Sequence, residues 1–215
     1  MKKVLITESD YLKLDKFKTD FFNEVEKDLT ATQGGLSQSH VIAYKLISQL
    51  NPLKYGEIGS HIGRSAAIAA TACQTTQIYC YDNPNSGWGG MSNTDIYLNK
   101  TLEAFAKGRG SAYLGNSHGD FIQKSIKENA PYDIFLVDGD HSPEGMIQDF
   151  DLIYPLVKEN GWIIIDDLVH HPELNTAFDW LLKKYSIKYH EKELSLTEQD
   201  EKYGILLRGV GVMQK

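Results

Sequence analysis

The chain has 215 residues, 41% hydrophobic and 24% charged, with 22 Lys and Arg against 29 Asp and Glu for a formal charge of −7. That size and balance describe one globular domain able to bury a core, and they exclude a disordered or fibrous chain. No apolar run approaches the roughly 20 residues of a membrane span, so no membrane partner is expected. The acidic excess argues against nucleic acid, whose phosphates are met by clustered Lys and Arg.

Met1-Lys-Lys followed by Val-Leu-Ile begins like a leader, but the apolar stretch ends at Thr7-Glu8-Ser9-Asp10, and the expectation is a cytoplasmic protein. Cys73 and Cys80 have no metal-binding or CxxC spacing and read as reduced interior thiols. Phe17, Phe21, Val25 and Leu29 fall four apart and form one stripe on a charged helix, which Thr32-Gln33-Gly34-Gly35 breaks. A second helix starts at Ser37 or Ser39 as N-cap and runs to Leu50, stopped by Asn51-Pro52. Residues 1–52 thus read as a helical cover, which either roofs an acceptor site or forms a homodimer contact, and residues 53–215 as the core of the same single domain.

From Lys54 onward short apolar strands alternate with amphipathic helices. Strands are predicted over 55–59, 77–82, 112–114, 134–137 and 161–165, with helices over 65–73, up to about 107, 121–127, and from Met146 to Val157, where Pro155 must kink or split the helix. A glycine-rich loop at 83–93, carrying Trp88, reads as a lid. Leu174, Ala177, Phe178, Leu181 and Leu182 mark a further helix with Pro172 in its first turn, and two strands, about 187–193 and 203–213, close the chain as an antiparallel hairpin. Continuously apolar strands separated by helices mean a parallel sheet covered on both faces, an α/β three-layer sandwich. In such sheets ligands bind beyond the carboxyl ends of the strands.

The strand ends carry the chemistry. Glu57-Ile-Gly59-Ser60-His61-Ile-Gly63 offers a tight turn and a helix N-terminus in GxxxG spacing, without the middle glycine of a dinucleotide GxGxxG. Asp82 ends the second strand, where an acid hydrogen-bonds a ribose diol or caps a loop. Asn116 and Ser117 end the third, and either meet a base edge or cap the next helix. Asp138 ends the fourth and Asp166-Asp167 the fifth; three carboxylates on neighbouring tips crowd negative charge that a proton or a divalent ion such as Mg²⁺, Mn²⁺ or Ca²⁺ would neutralise. His141, three residues after Asp138, is the candidate general base, with His61, His118, His170 and His171 also in strand-end loops.

Together these residues resemble the class I S-adenosylmethionine-dependent methyltransferases. The string Val137-Asp-Gly-Asp-His-Ser-Pro-Glu-Gly145, followed by Leu156-Val-Lys-Glu-Asn-Gly-Trp-Ile-Ile-Ile-Asp-Asp167, is similar to a small bacterial group reading "DGDHSYEG … DD" and related to catechol-, macrocin- and cephalosporin-hydroxylase-type O-methyltransferases. The resemblance implies a Rossmann-like seven-stranded sheet with its last strand inserted antiparallel. It also implies S-adenosylmethionine as cofactor, held by Glu57, Gly59, Ser60 and Gly63, by Asp82 at the ribose, by Asn116 and Ser117 at the adenine, and by Asp138. Asp138, Asp166 and Asp167 match metal positions, and His141 would stand beside the hydroxyl of a small-molecule acceptor. Asp166-Asp167 replaces the Asp-Asn of the catechol type, and Arg64 is a bulky residue for the cofactor turn. The alternatives are a metal-independent enzyme using His141 alone, a nicotinamide oxidoreductase, and a non-catalytic nucleoside-binding protein.

Overall fold

A computed structural model describes residues 6–29, 35–84 and 93–215. The parts of the expected hinge and lid that fall at 30–34 and 85–92 lie outside the described residues.

Two helices come first, α1 (Glu8–Glu24) and α2 (Gln38–Leu50). Then follow β1 (Lys54–Ile58), α3 (Arg64–Ala72), β2 (Gln77–Asp82), α4 (Thr94–Phe105), β3 (Gly110–Leu114), α5 (Asp120–Asn129) and β4 (Tyr132–Val137). The chain continues through α6 (Pro143–Ile153), β5 (Val157–Ile165), α7 (Pro172–Lys184), β6 (Tyr189–Glu193), α8 (Glu198–Lys202) and β7 (Val210–Gln214). The seven strands form one sheet in the order β3-β2-β1-β4-β5-β7-β6, with β1 to β5 parallel and β7 antiparallel to both neighbours. This is the Rossmann-like arrangement implied by the resemblance.

Strand alternation sorts the core into two layers. Tyr55, Cys80, Leu136, Trp162 and Ile164 pack with α2, α3 and α4 on one face. Ile58, Phe135, Val137, Ile163 and Ile165 pack with α5, α6 and α7 on the other. A third cluster joins α1 to α2 and α3 through Tyr11, Leu14, Phe17, Phe21, Val41 and Ile68. The buried Asp10–Lys45 pair at 2.8 Å ties α1 to α2.

Several boundaries differ from expectation; α1 stops at Glu24, so Val25 and Leu29 of the expected stripe lie beyond it. Val157, read as the end of a helix, opens β5, because Pro155 closes α6 through a 3-10 turn at Tyr154–Leu156. The closing strand is only Val210–Gln214, and a short helix stands before it. Thr197 and Asp200 cap α8 reciprocally, and Asp200 also accepts a 2.7 Å bond from Tyr11 Oη. At five residues α8 is too short to show a helical period. Gly204 and Gly209, at φ +61° and +77°, break the pairing before Val210.

The register aligns the strand tips. Ile58 is level with Tyr81 on one side and Val137 on the other, and Val137 with Ile165. Beneath this edge, on the same face as Tyr55, lies Glu57, fully buried. Its carboxylate accepts from Tyr55 Oη at 2.7 Å and from Cys80 Sγ at 3.6 Å. Burial pushes its pKa up to about 7, against the pull of the Tyr55 hydroxyl. Folded protein therefore binds a proton that unfolded chain releases above pH 4.5, and stability falls as pH rises from 4.5 to 7. Glu57→Gln is expected to remove that fall, gaining on the wild type by about 3 kcal/mol across the window. Urea unfolding of both proteins at pH 5 and pH 8 checks this, and parallel pH slopes would contradict it.

Candidate active site

A cavity of about 780 Å³ opens over the aligned tips of β1, β2, β3, β4 and β5. Its floor begins at Gly59, whose N–H donates to Tyr81 O at 2.8 Å while Asp138 N–H donates to Ile58 O at 3.0 Å. A Cβ on Gly59 would fall 1.8 Å from Asp138 O, and φ is +87°, so the crossing of β1 and β4 admits only glycine. Ser60 and His61 continue the wall, and His61 N–H donates to Asp82 Oδ1 at 3.0 Å, locking the tip of β2 to the turn. Burial raises the pKa of Asp82, opposed by that N–H.

Two residues expected at the cofactor sit elsewhere. Glu57 lies below the floor, as described, and does not line the cavity. Gly63 is the N-cap of α3; a Cβ there would meet Leu98 and Thr101 of α4 at 2.8 and 2.9 Å, so its role is close packing of helices. Arg64 also has a structural place, paired with Glu26, donating to Gly35 O at 3.4 Å and stacked over Phe21 at 5.5 Å. It fastens the end of α1 over the turn.

Past β3, Asn116, Ser117 and His118 line the far end. Asn116 Oδ1 accepts from His118 N–H at 2.9 Å, so it shapes its own loop, and Gly119 rather than either residue caps α5.

At the other end stand the acids. Asp138 Oδ1 lies 3.3 Å from His141 Nε2, and Asp167 Oδ2 lies 3.5 Å from the same nitrogen. Burial works against charge on His141, but the Asp138 hydrogen bond and the fields of Asp138, Asp167 and Asp166 prevail and raise its pKa. Asp166 is pushed up to about 8, by burial and then by Asp138 and Asp167. Both its oxygens are engaged, Oδ2 by Ser39 Oγ at 2.6 Å and Oδ1 by Asp167 N–H at 2.9 Å. The carboxylate thus faces the N-terminus of α2. Asp138 is also raised, by enclosure and the Asp167 charge, with His141 pulling it down.

Side chains from both ends of the chain complete this wall. His40 of α2 takes the Ser37 N–H on Nδ1 at 2.9 Å, and burial plus the Arg208 charge lowers its pKa to about 4, which keeps it neutral. Arg208, before β7, donates to His170 Nδ1 at 2.9 Å and stands 3.5 Å from Asp167 Oδ1. His171 lies with its ring 4.9 Å from His141. One ligand atom each from His141, Asp167 and His171 falls within 4.8 Å of the others, a geometry able to hold a metal ion. Sequence reasoning missed His40 and Arg208; no local motif marks either, although the His170-His171 pair beside Asp167 was visible.

No described helix is long and apolar enough to cross a membrane. A comparison with curated proteins finds no match. Among solved structures, an O-methyltransferase from Bacillus cereus in complex with SAH is 13% identical, covering 97% of this chain and 92% of its own, with a TM-score of 0.65. The O-methyltransferase TomG from Streptomyces achromogenes, involved in tomaymycin synthesis and solved with SAM, is 16% identical over 98% and 91%, also at 0.65. These likenesses show the shared fold. A family model described as a methyltransferase domain matches residues 57–168, more than half of the chain and every strand tip from β1 to β5. The chain belongs to that methyltransferase-domain family.

Proposed function

We propose that the protein moves the methyl group of S-adenosylmethionine to a hydroxyl oxygen of a small-molecule acceptor. The observation carrying this reading is that one cavity joins the Gly59, Asp82 and Asn116–Ser117 end to the Asp138–His141 end. Its volume suits a nucleoside-sized ligand with room for a partner. Gly59 and Ser60 would meet the methionine part, Asp82 the ribose hydroxyls, and Asn116 with Ser117 the base. When bound, the cofactor supplies an electrophilic methyl on a sulfonium. The chain's task is orientation, holding oxygen and methyl carbon in line. Asp138 holds His141 through Nε2 at 3.3 Å, and the other ring nitrogen, Nδ1, takes the hydroxyl proton.

Binding is tested first. Calorimetric titration with S-adenosylhomocysteine is expected to saturate in the micromolar range, with NAD inert, and Asp82→Ala to weaken it by about 30-fold, roughly 2 kcal/mol. Tight NAD binding without S-adenosylhomocysteine binding would overturn the reading. With an acceptor found by screening for release of S-adenosylhomocysteine, His141→Ala is expected to lower kcat by about 100-fold or more while the cofactor Kd stays within about twofold. Equal kcat in the variant would remove His141 from the chemistry.

The donor sets support a second element, a divalent cation. Asp138, Asp166 and Asp167 would offer oxygens of the kind Mg²⁺ takes, but Asp166 fits poorly because hydrogen bonds occupy both its oxygens. His141, Asp167 and His171 offer two nitrogens and a carboxylate, a set for Mn²⁺, Fe²⁺, Co²⁺ or Zn²⁺. Such an ion would lower the pKa of an acceptor hydroxyl, and with His141 as ligand the proton falls to Asp138. Titration of chelator-treated protein with Co²⁺ and Mg²⁺ separates the two. The nitrogen set requires Co²⁺ absorption bands that vanish in His171→Ala, whereas Mg²⁺ binding that survives this substitution selects the oxygen set.

A further inference from the structure

Segment 206–209 runs between the start of α2 and the loop after β5, and hydrogen bonds hold it to both. Leu206 N–H donates to Leu36 O at 2.7 Å, and Gly209 N–H donates to Gln38 Oε1 at 3.1 Å. On the other side, Val169 and His170 N–H donate to Arg208 O at 2.8 and 3.3 Å. Arg208 is thereby fixed between His40 and His170, and all three line the cavity. The methyl-transfer chemistry uses none of them.

The hydrogen bonds decide what these side chains offer. A guanidinium only donates, so the 2.9 Å bond from Arg208 Nη1 makes His170 Nδ1 an acceptor and puts the ring proton on Nε2. A backbone N–H also only donates, so the 2.9 Å bond from Ser37 N does the same for His40. Both Nε2 atoms are therefore donors. Arg208 engages Nη1 with His170 and, at 3.5 Å, with Asp167 Oδ1. Its Nε and Nη2 have no partner among the described residues. The side chain is 34% exposed, and neither nitrogen is sealed from solvent.

Donors of this kind suit a ligand group that only accepts, and the planar Nε–Nη2 edge matches a carboxylate in bidentate geometry. A single guanidinium charge, already facing Asp167, fits a monoanion. A phosphate dianion would meet more negative than positive charge beside Asp138, Asp166 and Asp167. Ligand size follows from Asp167, whose Oδ2 is 3.5 Å from His141 Nε2 and whose Oδ1 is 3.5 Å from Arg208 Nη1. Base and guanidinium stand against the two oxygens of one side chain. A hydroxyl and a carboxylate set one ring or a few carbons apart would reach both.

We propose that the methyl acceptor is a small hydroxy acid, its carboxylate bound by the Nε–Nη2 edge of Arg208 and by His40 Nε2, its hydroxyl beside His141. His170 is a positioning residue that holds the guanidinium by Nη1. The new O–C bond forms as the S–C bond breaks, the electron pair stays on sulfur, and the hydroxyl proton passes to His141. This rests on the reading of the cavity as a methyl-transfer site and narrows its acceptor.

The test gives the full chain S-adenosylmethionine and 3-hydroxybenzoate, 3,4-dihydroxybenzoate or 3-hydroxybutyrate, each beside its primary amide, and reads release of S-adenosylhomocysteine. At least one acid is expected to become its methyl ether with kcat/KM about 30-fold above the amide, which lacks the charge-assisted contact. Arg208→Met should raise KM for that acid by about 30-fold and move KM for the amide by less than about threefold. It should leave the Kd of S-adenosylhomocysteine within about twofold. A merely structural role would raise both KM values alike and overturn the proposal. Equal use of acid and amide, a methyl ester as product, or no turnover of any acid would also overturn it. So would an Arg208→Met variant that loses S-adenosylhomocysteine as strongly as the acid, because the edge would then hold the cofactor's own carboxylate. If Arg208→Met fails to unfold cooperatively, the wild-type ratio of acid to amide and Arg208→Lys, which keeps the charge without the fork, carry the test. Failure of wild type to bind S-adenosylhomocysteine would instead sink the cofactor reading itself.

Discussion

Everything polar in the cavity depends on the flush register of four parallel strands. Tyr81, Ile58, Val137 and Ile165 are level across the sheet, so the residues that follow them emerge at one edge. The strand order reverses between β1 and β4, and the helices that follow those strands leave on opposite faces, which opens a crevice there. Gly59 is the condition for that crossing, because any side chain would collide with the Asp138 carbonyl. A register slip of one residue would swap the side chains of the two covered faces and scatter the acids.

Bringing acids together has an electrostatic cost, and the fold answers it with parts remote in sequence. Ser39 hydrogen-bonds Asp166 from α2, Arg208 faces Asp167 from the loop before β7, and His141 bridges Asp138 and Asp167. The N-terminal helices and the C-terminal loop are thus part of the site's charge balance as well as its walls. Gly209 makes the approach of Arg208 possible, since a Cβ there would stand 2.5 Å from Val169 N. With Leu168 and Val169 N–H groups bonded to Gly209 and Arg208 carbonyls, the two loops hold each other at the mouth.

The sheet was legible because its signals are local. Runs such as Ile134–Val137 are apolar without interruption, and the glycines and acids follow each run at once. Positions that depend on contacts between distant segments were not legible. α8 is shorter than the period that would reveal it, and His40 and Arg208 reach the cavity from segments 168 residues apart in number, 40 against 208. Glu57 is different, because strand alternation already put it on the face of Tyr55 and so into the core. Its carboxylate therefore lies under the cavity lining, buried at 0% exposure. The match of the family model to residues 57–168 fits this division, since it spans the locally legible tips and leaves α1, α2 and the segment from α7 onward outside.

The histidines show how far surroundings outweigh residue type. His40 is enclosed, faces the Arg208 charge and accepts an N–H from Ser37, all of which disfavour a proton. His141 is also enclosed, yet its neighbours are Asp138, Asp167 and Asp166, and the sum reverses in sign. The two side chains line the same cavity and differ because one borders the cationic arm of the wall and the other its anionic floor. A neutral imidazole beside Arg208 and a proton-hungry one beside the acids follow from these surroundings, and neither could be exchanged for the other without moving Arg208 or the carboxylates. The burial of Asp149 extends the same logic to the far end of the cavity, where a single carboxylate faces His118. Charge placement around chemically identical imidazoles therefore gives the cavity its polarity from one end to the other.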